Sequence, residues 1–131
     1  MRAECTFHVA SFEPTEYASP IVTGLSVGFA FMDKTFEGDL DGRSRTQFTS
    51  AYDADTGTGT YLAMESFEGS LHGRSGSFNF AHMASTDGTT RSHFQLVVVP
   101  GSGTGELEGI SGTGDLVVDD LHRITLDYEL P

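Results

Sequence analysis

The middle of the chain reads Gly69-Ser70-Leu71-His72-Gly73-Arg74-Ser75, and two other segments share its G-x-L-x-G-x-S pattern. These are Gly38-Asp39-Leu40-Asp41-Gly42-Arg43-Ser44 and Gly105-Glu106-Leu107-Glu108-Gly109-Ile110-Ser111. The second glycine suits a two-residue hairpin turn, because glycine adopts a positive φ without steric cost. A single leucine between polar residues is typical of a strand with one buried face. We therefore interpret each copy as the tip of one hairpin, with all three tips at the same end of one sheet.

Short runs of alternating apolar and polar residues, bounded by turn residues, fill the rest of the chain and predict β-strands. The eight predicted strands cover residues 5–12, 21–36, 45–52, 60–69, 76–84, 92–99, 113–118 and 121–130. A bulge near Met32-Asp33 is expected, because Phe36 departs from the parity of Phe29 and Phe31. Residues 100–103 could form a hairpin turn. A bulge or kink within a longer strand is preferred, because the repeat alignment puts the last turn at Gly109-Ile110.

One strand, three hairpins and a closing strand predict an all-β fold with about eight antiparallel strands in up-and-down order. Such a sheet closes into a β-barrel whose interior holds side chains or one small ligand. A flattened sandwich is the alternative, and closure is favoured because it removes both sheet edges. The sixteen glycines disfavour helices. We expect a single β-barrel domain over residues 1–131.

The charge balance of the sequence limits the kinds of partner that the protein can bind. Seven Lys and Arg residues face nineteen Asp and Glu residues, for a formal charge of −12. This balance argues against nucleic acid and anionic membranes as partners, because both require basic patches. The lone cysteine, Cys5, cannot form an internal disulfide, and from the sequence we expect neither an apolar signal segment nor a membrane span. We expect a cytoplasmic protein that uses no cofactor and no metal.

Four segments resemble a bacterial family of uncharacterised domains. They are Phe36 to Gly42, Glu65 to Phe78, Val99 to Leu107, and the ending His122 to Leu130 with its Leu126-Asp127-Tyr128-Glu129-Leu130. That family looks like the allene oxide cyclase barrels, which are small antiparallel barrels with a ligand-sized interior. The resemblance implies a barrel that folds up a reactive hydrophobic substrate, and hence isomerisation or cyclisation. It covers nearly the whole chain.

The middle hairpin suggests a catalytic pair. If Gly73 and Arg74 are its two loop residues, Glu65 lies opposite His82, and both belong to the face that carries the large apolar side chains. Opposed Cβ atoms lie roughly 5 Å apart, within reach of a hydrogen bond. A carboxylate that orients an imidazole among aromatic side chains is a general acid–base arrangement. The alternative is a purely structural pair.

Further residues are expected to line a cavity and bind substrate. They are Tyr61, Phe67, Phe78, Phe80, His122 and Tyr128. Three functions remain open on this basis. The first is an isomerase or cyclase that acts on an apolar small molecule, the second is a non-enzymatic carrier with the same cavity, and the third is a filled barrel that acts through its surface, as a homodimer.

Overall fold

A closed, eight-stranded antiparallel barrel makes up this computed structural model, which describes residues 1–118 and 120–131. The strands are β1 (Arg2–Pro14), β2 (Val27–Gly38), β3 (Leu40–Asp53), β4 (Thr58–Leu71), β5 (Arg74–Asp87), β6 (Arg91–Val98), β7 (Ser111–Val118) and β8 (His122–Glu129). Each strand pairs with its neighbour in sequence, and β8 pairs with β1 to complete the ring. The predicted all-β barrel is therefore confirmed. In the described part of the chain, no helix is long and apolar enough to span a membrane.

The two ends of the barrel differ in how tightly they are packed. At one end, which we call the closed end, the inward-facing side chains are fully buried; these include Leu40, Leu71, Leu107, Ile110 and Tyr128. At the other, the open end, the inward-facing side chains are only half-buried; these include Met32, Phe48, Tyr61, Phe94 and His122. The interior is therefore less tightly packed at the open end than at the closed end.

The three repeat copies all lie at the closed end, but they do not occupy equivalent positions. The first copy starts β3, the second ends β4, and the third contributes the 3-10 helix Gly105–Leu107 between β6 and β7. The first two copies pair with each other, so that Gly42 lies opposite Gly69. A Cβ at Gly69 would lie 2.1 Å from the carbonyl oxygen of Asp41. The glycines of the repeat therefore permit a close backbone approach between β3 and β4.

The predicted turn of the middle hairpin was wrong by one residue. His72 and Gly73 are the two turn residues, with φ of 47° and 79°, and Leu71 pairs with Arg74. A type I′ turn needs positive φ at both central positions, and the glycine takes the second of them. Glu65 consequently lies opposite Phe80, and His82 lies opposite Ala63. The pairing moves by two residues, so both side chains keep the inward face.

Two predicted irregularities were also wrong. The pairing of β2 with β3 is regular through Met32 and Asp33, and the register shift lies instead on β1, between Val9 and Ser11. Residues 100–103 do not continue a strand, because β6 ends at Val98. The Ser102 N–H donates to the Val99 carbonyl at 3.2 Å. Gly101 has a φ of 80°, as position three of a type II turn after proline requires.

Candidate active site

Glu65 is the centre of a buried polar cluster inside the barrel. Its Oε1 accepts a hydrogen bond from Ser44 Oγ at 2.8 Å, and its Oε2 accepts one from Lys34 Nζ at 2.7 Å. The same Oε2 lies 2.5 Å from His82 Nε2. Glu65 is fully buried, and Lys34 and His82 are 4% and 6% exposed. The charges of Glu65 and Lys34 therefore compensate each other away from water, as buried charges must.

Regular strand alternation brings these side chains together. β3 lies between β2 and β4, and the Lys34 side chain reaches across it to Glu65 on β4. Ser44 and Thr46 are successive inward-facing residues of β3, and Thr46 pairs with Glu65. His82 lies on β5, two residues from the Glu65 partner Phe80. A diagonal pair of this kind is within reach of long side chains on one sheet face.

His82 extends the cluster toward the open end. Its Nδ1 lies 2.8 Å from the hydroxyl of Tyr61, and the two rings meet edge to face at 5.4 Å. Because an ionised carboxylate only accepts hydrogen bonds, the Nε2 that faces Glu65 carries a proton. Tyr61, His82 and Glu65 thus form a continuous hydrogen-bonded chain. It runs from a half-buried phenol to a fully buried carboxylate.

The protonation states of Glu65 and Tyr61, the two ends of this hydrogen-bonded chain, follow from their surroundings. Burial by itself would raise the pKa of Glu65, but the hydrogen bond from His82 and the charge of Lys34 lower this pKa to about 2. Burial raises the pKa of Tyr61 to about 12, and the nearby Glu65 carboxylate adds to this rise. At neutral pH the site therefore contains an ionised carboxylate and a protonated phenol.

A layer of aromatic rings separates the polar cluster from the closed end. Successive ring centroids lie 5.4–6.0 Å apart from Phe7 through Phe36, Phe67 and Phe78 to Phe80. The Lys34 ammonium lies 4.7 Å from the centre of the Phe7 ring, a cation–π contact. The His122 ring also lies next to Phe7, with ring centroids 5.0 Å apart. The floor of the site is thus apolar, while its polar groups converge from one wall.

Comparisons with known proteins find similarity over nearly the whole barrel. The model of a family described as "Protein of unknown function (DUF3224)" matches residues 3–129. This chain belongs to the DUF3224 family. A similar solved structure is a DUF3224 protein of unknown function from Shewanella oneidensis MR-1, with 34% sequence identity and a TM-score of 0.89. The similarity covers 100% of this chain and 97% of that one. Among curated proteins, none matches.

Several of the residues predicted for the site lie together in the structure of this DUF3224 protein. Glu65 contacts His82 directly, Tyr61 contacts His82, and Phe80 stacks on the His82 ring at 6.0 Å. Phe67 and Phe78 lie in the aromatic floor and are fully buried. The substrate-binding role of these residues stays a prediction.

Tyr128 lies apart from the others. It is six residues from His122 along β8, which is roughly 20 Å in an extended strand. Its hydroxyl lies 2.5 Å from Nδ1 of His72, whose Nε2 lies 3.4 Å from Asp39. Burial raises the pKa of Tyr128. These contacts tie the β4–β5 turn to the strands around it, so Tyr128 helps to seal the closed end and does not share a cavity with His122.

Lys34, Ser44 and Thr46 are members of the site that the sequence analysis did not identify. The parity of Phe36, which points inward, would have placed Lys34 on the same face two residues earlier. Phe29 and Phe31, whose parity led to the expected bulge before Phe36, lie on the outer surface and pack against each other at 5.1 Å. The inward side chains of β3 are polar where they surround Glu65, which explains why their pattern did not indicate a core face.

Two grooves open on the outer surface of the DUF3224 barrel. One, with a volume of about 420 Å³, has an apolar lining that includes Phe29, Leu62, Met64, Met83 and Val97. The other, of about 680 Å³, is lined by polar residues that include Asp33, Arg43, Arg45 and Glu68. Within residues 1–118 and 120–131, no group of three or more His, Cys, Asp and Glu side chains could hold a metal ion.

Proposed function

We propose that the chain is a small-molecule isomerase or cyclase that binds an apolar substrate in the open half of the barrel. The observation that carries the proposal is the hydrogen-bonded chain from Tyr61 through His82 to Glu65. A general acid or base needs a proton acceptor within hydrogen-bond reach and a group that stabilises the charge formed. His82 is such an acceptor for the Tyr61 proton, and Glu65 stabilises a charged imidazole.

The proton transfer is balanced without an outside reactant. Tyr61 removes a proton from a substrate carbon while its own phenolic proton passes to Nδ1 of His82. The phenol remains neutral throughout, which is important because its pKa of about 12 makes a free phenolate unfavourable. The resulting imidazolium is stabilised by the Glu65 carboxylate. Return of the proton to a different substrate atom completes an isomerisation or starts a ring closure.

The barrel architecture is consistent with this chemistry. The aromatic floor and the half-buried rings of Phe48 and Tyr61, which stack at 5.4 Å, offer apolar contacts to a substrate. The resemblance to allene oxide cyclase-like barrels supports a reaction inside the barrel, although a fold alone does not fix a function. We place the enzyme in the cytoplasm and propose no nucleic-acid or membrane partner, in keeping with the charge of −12.

A carrier without turnover is the second candidate. Lys34, Ser44 and His82 each hydrogen-bond to Glu65, so the cluster is also able to hold the barrel walls together around a passively bound ligand. Homodimer formation through the apolar outer groove is compatible with either function. The two candidates differ in whether the chain converts its ligand, a step for which the enzyme needs Tyr61.

The test is the isomerisation of a cyclohexenone from its β,γ-unsaturated to its conjugated form, followed by ultraviolet absorbance. We expect the wild-type chain to accelerate the reaction, and Tyr61→Phe to lower the rate on the order of a hundredfold. Tyr52→Phe is the control, because Tyr52 lies on β3 and is 54% exposed. Equal rates for wild type and Tyr61→Phe, or no acceleration by the wild type, would overturn the proposed activity.

A further inference from the structure

We propose that Lys34 and Thr46 form a subsite for the carbonyl oxygen of a neutral ketone or aldehyde. This inference rests on the proposed function for the position of the substrate, and it adds the chemical class. The two residues lie on neighbouring strands, β2 and β3, on the wall of the barrel that also carries the Glu65 cluster. The carbonyl group would accept hydrogen bonds from both side chains.

Thr46 supplies the first observation. It is fully buried, and its Oγ1 has no hydrogen-bond partner in the part of the chain that the structure describes. A buried hydroxyl without a partner is unfavourable, so native proteins rarely retain one. Valine has nearly the same shape and would avoid this cost. Thr46 lies on the inner face and pairs with Glu65, so its free hydroxyl belongs to the same buried wall as the polar cluster.

Lys34 supplies the second donor. Its ammonium group has three N–H bonds, and among the described residues one hydrogen-bond partner, Glu65 Oε2, is found for them. The Phe7 ring covers part of the remaining surface of the ammonium through the cation–π contact. The group therefore retains hydrogen-bonding capacity while its charge is already balanced.

The charge of the cluster selects a neutral ligand. The Lys34 and Glu65 charges cancel, so a ligand carboxylate would add an uncompensated negative charge to a buried site, which is costly. A neutral carbonyl avoids this cost. When Tyr61 and His82 remove a proton from the carbon beside the carbonyl, the electron pair of the broken C–H bond moves onto the oxygen. Donors already in place from Lys34 and Thr46 would stabilise that enolate oxygen.

The experiment compares two probes of nearly equal shape, cyclohexanone and methylenecyclohexane, which differ in having C=O or C=CH₂. Binding to the full chain is titrated by NMR for wild type, Thr46→Val and the control Thr113→Val, which alters an exposed threonine on β7. We expect Thr46→Val to weaken cyclohexanone binding about tenfold, as the loss of one hydrogen bond predicts. Methylenecyclohexane binding should not change in any variant, and thermal stability should not fall in Thr46→Val.

The outcomes separate this subsite from the proposed activity. Equal affinity of wild type and Thr46→Val for cyclohexanone would overturn the subsite, as would failure of cyclohexanone to bind. The proposed proton transfer would then still be judged by the Tyr61→Phe rates. A tenfold loss in Thr46→Val together with equal rates for wild type and Tyr61→Phe would support the subsite and overturn the enzyme.

Discussion

Replacing Glu65 with glutamine should destabilise the folded chain by about 3–5 kcal/mol, because it leaves the buried Lys34 ammonium without its counter-charge. Lys34 is only 4% exposed, so the ammonium cannot regain water without a rearrangement of the barrel wall. The lowered pKa of Glu65 leads to a similar figure. A change from the ordinary value of 4.5 to about 2 corresponds to about 3 kcal/mol of favourable interaction with the ionised form.

Urea denaturation at pH 7, followed by circular dichroism, measures this loss. The control is Glu68→Gln, because Glu68 forms an exposed ion pair with Arg43 on the outer surface and should contribute only about 0–1 kcal/mol. Adding Lys34→Met to Glu65→Gln should recover part of the stability, since both charges are then removed. A loss in Glu65→Gln as small as that in Glu68→Gln would refute the role of Glu65 as the counter-charge of Lys34.

Two further predictions concern acid and the repeat glycines. Because the pKa of Glu65 is lower in the folded than in the unfolded chain, its stabilisation is complete above about pH 5 and is lost as the pH falls toward 2. In urea titrations across that range, wild type should therefore lose about 3 kcal/mol more than Glu65→Gln, and parallel curves would contradict this. Gly73→Ala should cost about 1–2 kcal/mol, because the φ is +79° but an added Cβ meets open space. Gly69→Ala should cost more, owing to the Asp41 carbonyl, and equal melting temperatures for the two variants would contradict that ranking.

Much of the barrel was predictable from the sequence because strand alternation and turn residues are local signals. All eight strands and their order followed from such signals, although five of the strands are longer than predicted and β2 and β8 are shorter. The register of the middle hairpin could not be predicted in this way, since Gly73 fits a two-residue turn about equally well with His72 or with Arg74 as the other turn residue. The error left Glu65 and His82 on the inner face, because a shift of two residues preserves the alternation.

The catalytic pair was predicted on the criterion that large apolar side chains mark the inner face. This criterion holds on β4 and β5. On β2 the same criterion failed, because Phe29 and Phe31 lie outside, where Arg45 covers the Phe31 ring at 4.9 Å. The inward position of Lys34 depends on a partner 31 residues away. No local pattern indicates a contact across three strands, so Lys34 and Thr46 required the three-dimensional structure.

The nitrogen-15 chemical shifts of the His82 ring at neutral pH test the central claim most directly, because the proposed relay requires one particular protonation state. We expect Nε2 to be protonated toward Glu65 and Nδ1 to be unprotonated, accepting the Tyr61 hydrogen bond, with the signal assigned by its loss in His82→Asn. In Tyr61→Phe the Nδ1 shift should change, because its hydrogen-bond donor is gone. A proton on Nδ1 with none on Nε2, or shifts that are the same in wild type and Tyr61→Phe, would contradict the relay.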